Sequence, residues 1–246
     1  MHLILIADIH LSDLPANSFG VDTKANFEHV LERVSAHSPD HVVMMGDYSL
    51  KAPRREDVLF ASAKLKKLGL PYSFIAGNHD RSFDVSEAFP GGSLVNDELY
   101  YRKEFGNFTG LFLDTAKAEI SELQLAWLKR QLVATSQQAL VFMHHPPIEM
   151  GVPFMDNKHS FNDPEREVYK VLFGGTSPVH VFSGHYHTAR STQVERHSIH
   201  LCPSTYFQLN PMQEEFGVSH AMPGIRHVEL IDNQVRTWIE FLPNRP

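Results

Sequence analysis

Apolar and polar positions along the chain follow two periods in turn. Residues 2–7 (HLILIA) are a short continuous apolar run, the pattern of a strand buried on both faces. Phe27, Val30, Leu31 and Val34 recur at i, i+3, i+4 and i+7, which predicts an amphipathic helix over 22–37. Residues 41–45 (HVVMM) read as a second strand, closed by Gly46-Asp47. Residues 56–68 read as a second helix, with Leu59, Ala63 and Leu68 facing inward and Gly69 as its stop. Residues 71–76 are a third strand. This alternation predicts βαβ units and a largely parallel sheet.

The pattern then changes. Residues 98–104 and 107–114 read as strands of an antiparallel or mixed sheet. Ser121-Glu122-Leu123-Gln124 fits a capping box, with Ile120 and Leu125 placed as a hydrophobic staple. The helix it opens, to Val133, should bury Leu125, Leu128 and Leu132. Residues 139–143 form a strand ending at His144-His145-Pro146-Pro147. Asp163-Pro164 has the form of a helix start, cap followed by proline, for a helix reaching Phe173. Residues 179–183 are a strand followed by Gly184-His185-Tyr186-His187. Short strands follow at 190–195, 199–202, 224–231 and 234–241, the last two joined at Asp232-Asn233. No repeat or dividing linker appears, so one domain, 1–246, is expected. Residues 149–161 are too long for a simple connection and belong to the class of loop that carries function.

A 246-residue chain with 42% hydrophobic content can bury a sizeable core. Its net charge of −7 argues against a broad nucleic-acid-binding surface. Cys202 is the one cysteine, so neither an internal disulfide nor a cysteine-rich zinc site is expected. The first seven residues lack the basic start and length of a signal peptide. No run approaches the roughly 20 apolar residues of a membrane span. A cytoplasmic protein is expected, without a membrane partner and compatible with a homo-oligomer. The 16 histidines stand out, because histidine is the commonest metal ligand.

Their placement is informative. Asp8-Ile9-His10 follows the first strand, Gly46-Asp47 the second and Gly77-Asn78-His79-Asp80 the third. His144 follows the strand at 139–143, and His185 with His187 follows the one at 179–183. In open α/β sheets, ligands bind outside the carboxyl ends of the strands. Asp8, His10, Asp47, Asn78, His144, His185 and His187 offer carboxylate, amide and imidazole donors, a mix suited to Mn, Fe, Zn or Co. Seven groups are too many for one tetrahedral ion with an open position. They suit two ions sharing one carboxylate. In Asp8-x-His10 and His185-x-His187, residues two apart in extended backbone point the same way, so each segment can supply two ligands.

In this order, Asp-x-His, Gly-Asp, Gly-Asn-His-Asp, His-x-Pro and Gly-His-x-His resemble the signature of the calcineurin-like metallophosphoesterases, over residues 8–187. The resemblance implies an α/β fold, a four-layer α/β-β/α sandwich of two mixed β-sheets, with a dinuclear metal site at the C-terminal ends of the strands. It implies that Asp8, His10, Asp47 and His187 hold one ion. Asp47, Asn78, His144 and His185 would hold the other, Asp47 bridging. His79 would be the catalytic, substrate-facing imidazole, with Asp80 orienting or supporting it. Residues 144–156, 202–211 and 111–115 are similar to class III cyclic nucleotide phosphodiesterases and their glycerophosphodiesterase relatives. The chain departs from that branch in having no glycine at 116–119 and in Tyr48-Ser49 after Gly-Asp.

The expected chemistry is hydrolysis of a small anionic phosphodiester, first a cyclic nucleotide of the 3′,5′-cyclic AMP type. A hydroxide held between two divalent or mixed-valence ions would be the nucleophile. A glycerophosphodiesterase or broad-specificity phosphodiesterase is the alternative, and a nuclease or non-enzymatic scaffold ranks lower. Selectivity is assigned to loops at 17–21, 149–161 and 206–220. Tyr206 and Phe207 are placed either to stack a base or to pack. Arg81 is read as a phosphate contact or a solvated side chain. His145 is read as supporting the site, facing the substrate or packed, and His159 and His220 as able to reach its mouth.

Overall fold

The computed structural model describes residues 1–12, 19–135 and 138–243. The chain begins β1 (His2–Ile6), α1 (Thr23–His37), β2 (His41–Met44), α2 (Arg55–Lys66), β3 (Tyr72–Phe74). After α3 (Ser82–Ala88) comes a small hairpin, β4 (Leu94–Val95) and β5 (Glu98–Leu99). Then follow β6 (Tyr101–Phe105), β7 (Phe108–Phe112), α4 (Glu122–Ala134), β8 (Gln138–Phe142), α5 (Pro153–Lys158), α6 (Glu167–Phe173) and β9 (Val179–Ser183). The remainder is β10 (Ser191–Val194), β11 (His197–Leu201), the short pair β12 (Gln208–Leu209) and β13 (Val218–His220), and a hairpin of β14 (Gly224–Ile231) and β15 (Gln234–Phe241).

Two mixed sheets result. The first has the order β15-β14-β1-β2-β3, with β1 to β3 parallel and β14 antiparallel to β1. The second has the order β10-β11-β9-β8-β7-β6, parallel except for its edge strands β10 and β6. Alternation along β8 shows how they stack. Leu140 and Phe142 pack into one core with β1, β2, α1 and α2, while Ala139, Val141 and Met143 pack into another with Leu128 of α4 and Leu172 of α6. Helices therefore cover the outer face of each sheet, and the inner faces meet, giving the expected four layers. β1 is apolar from Leu3 to Ile6 because those residues are buried on both faces.

The inner face of the second sheet carries a ladder of rings. Tyr101, Phe112, Phe142, Phe182 and His200 are successive cross-strand partners in β6, β7, β8, β9 and β11. Their planes lie within 25° of one another at each step, with centroids 4.6–5.6 Å apart. Stacked cross-strand pairs of this kind fix register, because a slip of one residue would turn each ring to the opposite face.

Several sequence expectations are corrected. In α2 the inward face is Asp57, Val58, Ala61, Ser62 and Leu65, while Leu59 and Ala63 are exposed and Leu68 is half-buried. The true stripe includes two polar residues, so apolar periodicity alone misplaced its phase. In α4, Ser121 accepts from the Gln124 amide at 3.2 Å, but the Gln124 side chain turns away to the Asp114 amide and carbonyl. The capping box is thus half-formed, and of the three leucines only Leu128 is fully buried. Asp163-Pro164 does not start α6. It belongs to a preceding turn closed by the Arg166 amide on the Asp163 carbonyl, and the Asp163 carboxylate reaches forward to the Tyr169 amide at 3.0 Å. The stretch 149–161 contains α5, stapled by the Asp156 carboxylate on the Met150 and Val152 amides. The loop expectation at 17–21 falls partly on Asn17 and Ser18, outside the described residues.

The corrected face of α2 can be checked directly. Leu65→Ala should cost about 2–5 kcal/mol in denaturant unfolding, whereas Leu59→Ala should stay within about 0.5 kcal/mol of wild type. A second check concerns His41, whose ring sits edge-on to Phe105 with Nε2 2.9 Å from Ser73 Oγ. Burial, and then Lys103, push its pKa from 6.5 down to about 3. The fold favours the neutral ring, so the unfolded chain takes up this proton first. This contribution is present above pH 6.5 and is lost as pH falls toward 3. His41→Gln should therefore lose less stability between pH 7 and 5 than wild type, by up to about 2 kcal/mol, measured by urea unfolding at both values.

Candidate metal centre

The five strand ends converge. β1, β2 and β3 deliver Asp8, His10, Asp47, Asn78 and His79 from the first sheet, and β8 and β9 deliver His144, His185 and His187 from the second. The seam between the sheets is crossed by hydrogen bonds at this point. His144 Nδ1 lies 2.8 Å from the Met45 carbonyl, and the His185 amide donates to Asp8 at 3.0 Å.

The backbone reaches this arrangement by a route that extended-strand reasoning did not anticipate. Asp8, His10, Asp47, His185 and His187 have φ of 53°, 44°, 56°, 64° and 44°. Left-handed backbone reverses each strand end within one residue and folds the side chain back over the sheet edge. The conformation costs about 1–2 kcal/mol for a residue with a Cβ, and Asp and His adopt it more readily than most.

The donor atoms form two adjoining clusters. Asp8, His10 and His187 are one and Asp47, His144 and His185 the other, with atoms in each within 4.8 Å of one another. Asp47 stands between them. His144 Nε2 lies 3.3 Å and His10 Nε2 3.7 Å from Asp47 Oδ2, while His187 Nε2 is 3.7 Å from Asp8 Oδ1. His79 joins His10 and Asp47 in an overlapping group. Asn78 lines the same cleft and is exposed.

Ring contacts select the nitrogens that face inward. His144 Nδ1 is engaged by the Met45 carbonyl and His10 Nδ1 by the Ser49 carbonyl, which leaves both Nε2 atoms as lone pairs. His185 is reversed, with Nε2 on the His159 carbonyl at 3.0 Å and Nδ1 free for the site. His144 Nε2 is buried without an aligned hydrogen-bond partner. His10 Nε2 and His187 Nε2 face each other at 2.9 Å.

Charge points the same way. Burial pushes the Asp8 carboxyl up to about 8, His144 opposing and Asp47 adding to the rise. Burial, then Asp47, push Asp80 up to about 7. Burial also acts to raise Asp47, but His144 and His10 hold it well below the usual carboxylate range. Burial acts to lower His144, yet Asp47 and Asp8 carry it up to about 10. Burial brings His10 down to about 4 and His185 to about 3. Asp47, held ionised beside the neutral rings of His10 and His185, forms with them a donor set that fits cations, and an ion would take the place of the protons that Asp8 and His144 otherwise keep.

Asp80 serves this centre in an indirect way. Its carboxylate accepts from the amides of Asp47 (2.7 Å), Tyr48 (2.9 Å) and Gly77 (2.9 Å), binding the β2 turn to the β3 turn. It makes no hydrogen bond to the His79 ring. That ring is oriented by the Lys51 carbonyl, 2.6 Å from Nδ1, while the His79 amide donates to Asp47 Oδ1. His145 is buried, hydrogen-bonded to Thr115 and packed 4.1 Å from the His185 ring. His159 lines the cleft. His220 packs against Phe241 and Arg81 is exposed at the start of α3, so neither lines it.

The cleft has a volume of about 300 Å³. One wall is aromatic. Tyr206 and Phe207 are buried and lie 5.8 Å from the His10 ring and 4.6 Å from the His187 ring. Phe216 and Phe154 complete it, with Phe19 against Tyr206 and Phe207. Phe19, Phe154 and Phe216 fall one in each of the three loops to which selectivity was assigned, although none was singled out there. Ser204, whose hydroxyl holds the Asp8 carbonyl at 2.8 Å, escaped the sequence reading because it lies far in sequence from the residue it supports.

Gly77 offers a test of how tightly the centre is built. A Cβ there would stand 2.6 Å from the Asp47 amide, 2.8 Å from His144 Cε1 and against Asp47 Oδ1. Gly77→Ala should weaken metal uptake at least about tenfold with little change in far-ultraviolet circular dichroism. The readout is metal content after dialysis against a graded chelator.

The family model described as calcineurin-like phosphoesterase matches residues 1–189. Among curated relatives, a probable cyclic nucleotide phosphodiesterase of Fibrobacter succinogenes is 30% identical, covering 96% of this chain and 92% of that protein. The 3′,5′-cyclic adenosine monophosphate phosphodiesterase CpdA of Escherichia coli is 26% identical over 94% of this chain and 85% of its own. The glycerophosphodiester phosphodiesterase GpdQ of Enterobacter lignolyticus is 29% identical over 87% and 81%. A dimetal phosphatase from Danio rerio shares the fold, with a TM-score of 0.68 at 16% identity, covering 92% of this chain and 94% of that one. The family match over residues 1–189, with a relative 30% identical over 96% of the chain, places this protein in the calcineurin-like phosphoesterase family.

Proposed function

We propose that this chain is a metal-dependent phosphodiesterase acting on a small phosphodiester, first a cyclic nucleotide of the 3′,5′-cyclic AMP type. The observation that carries the reading is the pair of donor clusters meeting at Asp47 beside an aromatic-walled cleft. In this reading Asp8, His10, Asp47 and His187 hold one ion, and Asp47, Asn78, His144 and His185 the other. Two divalent ions, when bound, supply the positive charge that a phosphodiester monoanion needs and lower the pKa of water at the site.

The chain's own groups do the rest. His79 keeps Nδ1 on the Lys51 carbonyl and so presents Nε2 to the cleft. From there it contacts a non-bridging phosphate oxygen or delivers a proton to the departing alkoxide. Asp80 acts through the backbone, holding the turns that carry Asp47 and His79 in register. Tyr206, Phe207, Phe154 and Phe216 offer flat apolar surface to the part of the substrate beyond the phosphate. That wall favours a nucleobase over glycerol, which has no face to stack. Among the described residues no helix is long and apolar enough to cross a membrane.

A panel assayed with manganese tests the reading: 3′,5′- and 2′,3′-cyclic nucleotides, glycerophosphodiesters, a chromogenic diester and a monoester. A cyclic nucleotide should give the highest kcat/KM, and preference for the monoester would overturn the diesterase assignment. His79→Ala should lower kcat by about 10²–10⁴-fold while metal content stays at the wild-type level. Loss of metal in that variant would make His79 a ligand instead.

A further inference from the structure

At the other end of the first sheet, away from the cleft, a second group of donors surrounds one carboxylate. His37 ends α1, His227 lies in β14 and Glu240 in β15. Glu240 Oε2 is 2.7 Å from His37 Nε2 and 3.0 Å from His227 Nε2, and the three donor atoms all lie within 4.8 Å of one another. Among the described residues this is the one such cluster outside the cleft.

Two of the three donors, His227 and Glu240, are held from behind. His227 Nδ1 lies 3.0 Å from His2 Nε2, and Trp238, its direct partner in the β14–β15 ladder, covers its ring at 4.8 Å and 3°. Arg33 takes Glu240 Oε1 at 2.6 Å and leaves Oε2 to the two imidazoles. His2 is itself fixed by its backbone amide on Asp40 at 2.7 Å. Outer contacts of this kind orient metal-binding imidazoles and carboxylates. The His227 side chain is buried, while those of His37 and Glu240 are 28% and 20% exposed, so an ion has an approach from solvent.

We propose that His37, His227 and Glu240 form a mononuclear site for a late first-row divalent cation such as Zn²⁺, Ni²⁺ or Cu²⁺, with water completing the coordination. Two imidazoles and one carboxylate select such ions over Mg²⁺ or Ca²⁺, which prefer oxygen alone. Donors held tetrahedrally by zinc stand about 3.3 Å apart, so the two Glu240 contacts need open by only a few tenths of an ångström. The ion would clip the end of α1 to the terminal hairpin. The site is independent of the cleft and of the activity proposed for it.

Trp238 makes the test local, because Ni²⁺ or Cu²⁺ bound beside an indole quenches its emission. The chain has two tryptophans, so Trp127→Phe leaves Trp238 as the reporter. In the tag-free 246-residue chain carrying that change, Ni²⁺ should quench emission saturably, along a single-site isotherm. Glu240→Gln or His37→Ala should raise the midpoint at least about tenfold, whereas Asp47→Asn, which removes a cleft donor, should leave it unchanged. Absence of saturable quenching, or an unchanged midpoint in both Glu240→Gln and His37→Ala with circular dichroism intact, would overturn the site.

Discussion

Asp8, Asp47 and Asp80 are withdrawn from water within one small volume, close enough to perturb one another's protonation. Like charges buried together are tolerated only with compensation. Asp80 finds it in three backbone amides. Asp8 receives the His185 amide and Asp47 the His79 amide, but their remaining lone pairs face imidazole nitrogens rather than solvent. The left-handed residues, the glycine at 77 and the ring contacts that fix each tautomer all follow from holding these carboxylates in place. A pair of cations is the simplest counter-charge the arrangement admits, and it underlies the proposed activity.

The centre belongs to neither sheet alone. His10 and Asp47 come from the first, His144 and His187 from the second, and their relative placement is set by how the inner faces dock. The ring ladder from Tyr101 to His200 gives the second sheet a fixed register, and the His144–Met45 and His185–Asp8 bonds tie that register to the first. The aromatic wall is tied into this frame. Tyr206 and Phe207 come from the connection after β11, where Ser204 holds the Asp8 carbonyl and Leu209 the His187 carbonyl. Phe154 comes from α5, whose capping residue His159 orients the His185 ring, so the segments that give the cleft its shape also hold its charged donors.

Much of this was legible in the sequence because it is local. Apolar runs ending in Asp8-x-His10 or Gly184-His185-x-His187 announce strand ends with donors, and α1 announces itself through Phe27, Val30, Leu31 and Val34. What escaped depends on distant partners. The phase of α2 was hidden because Asp57 and Ser62 are buried on its inner face; Ser62 is matched by the Ala88 carbonyl. Asp80 sits next to His79 in sequence, yet its hydrogen bonds go to backbone amides, two of them in the β2 turn. Extended backbone was the natural assumption for Asp8-x-His10, and only the need to turn side chains over the sheet edge makes it left-handed. His37 and His227 lie far apart in sequence, and only the fold brings them together at Glu240.

The position of β1 has a consequence for biosynthesis. This apolar strand is flanked by β2 on one side and by β14 on the other, and His2 pairs with Glu229 across nearly the whole chain. At typical elongation speeds, roughly ten to forty seconds separate the emergence of β2 from that of β14. Throughout that interval one edge of the nascent sheet stays open, a template for pairing with any neighbouring polypeptide. Ribosome pausing between the two would lengthen the exposure, and chaperone capture of residues 2–6 would shorten it.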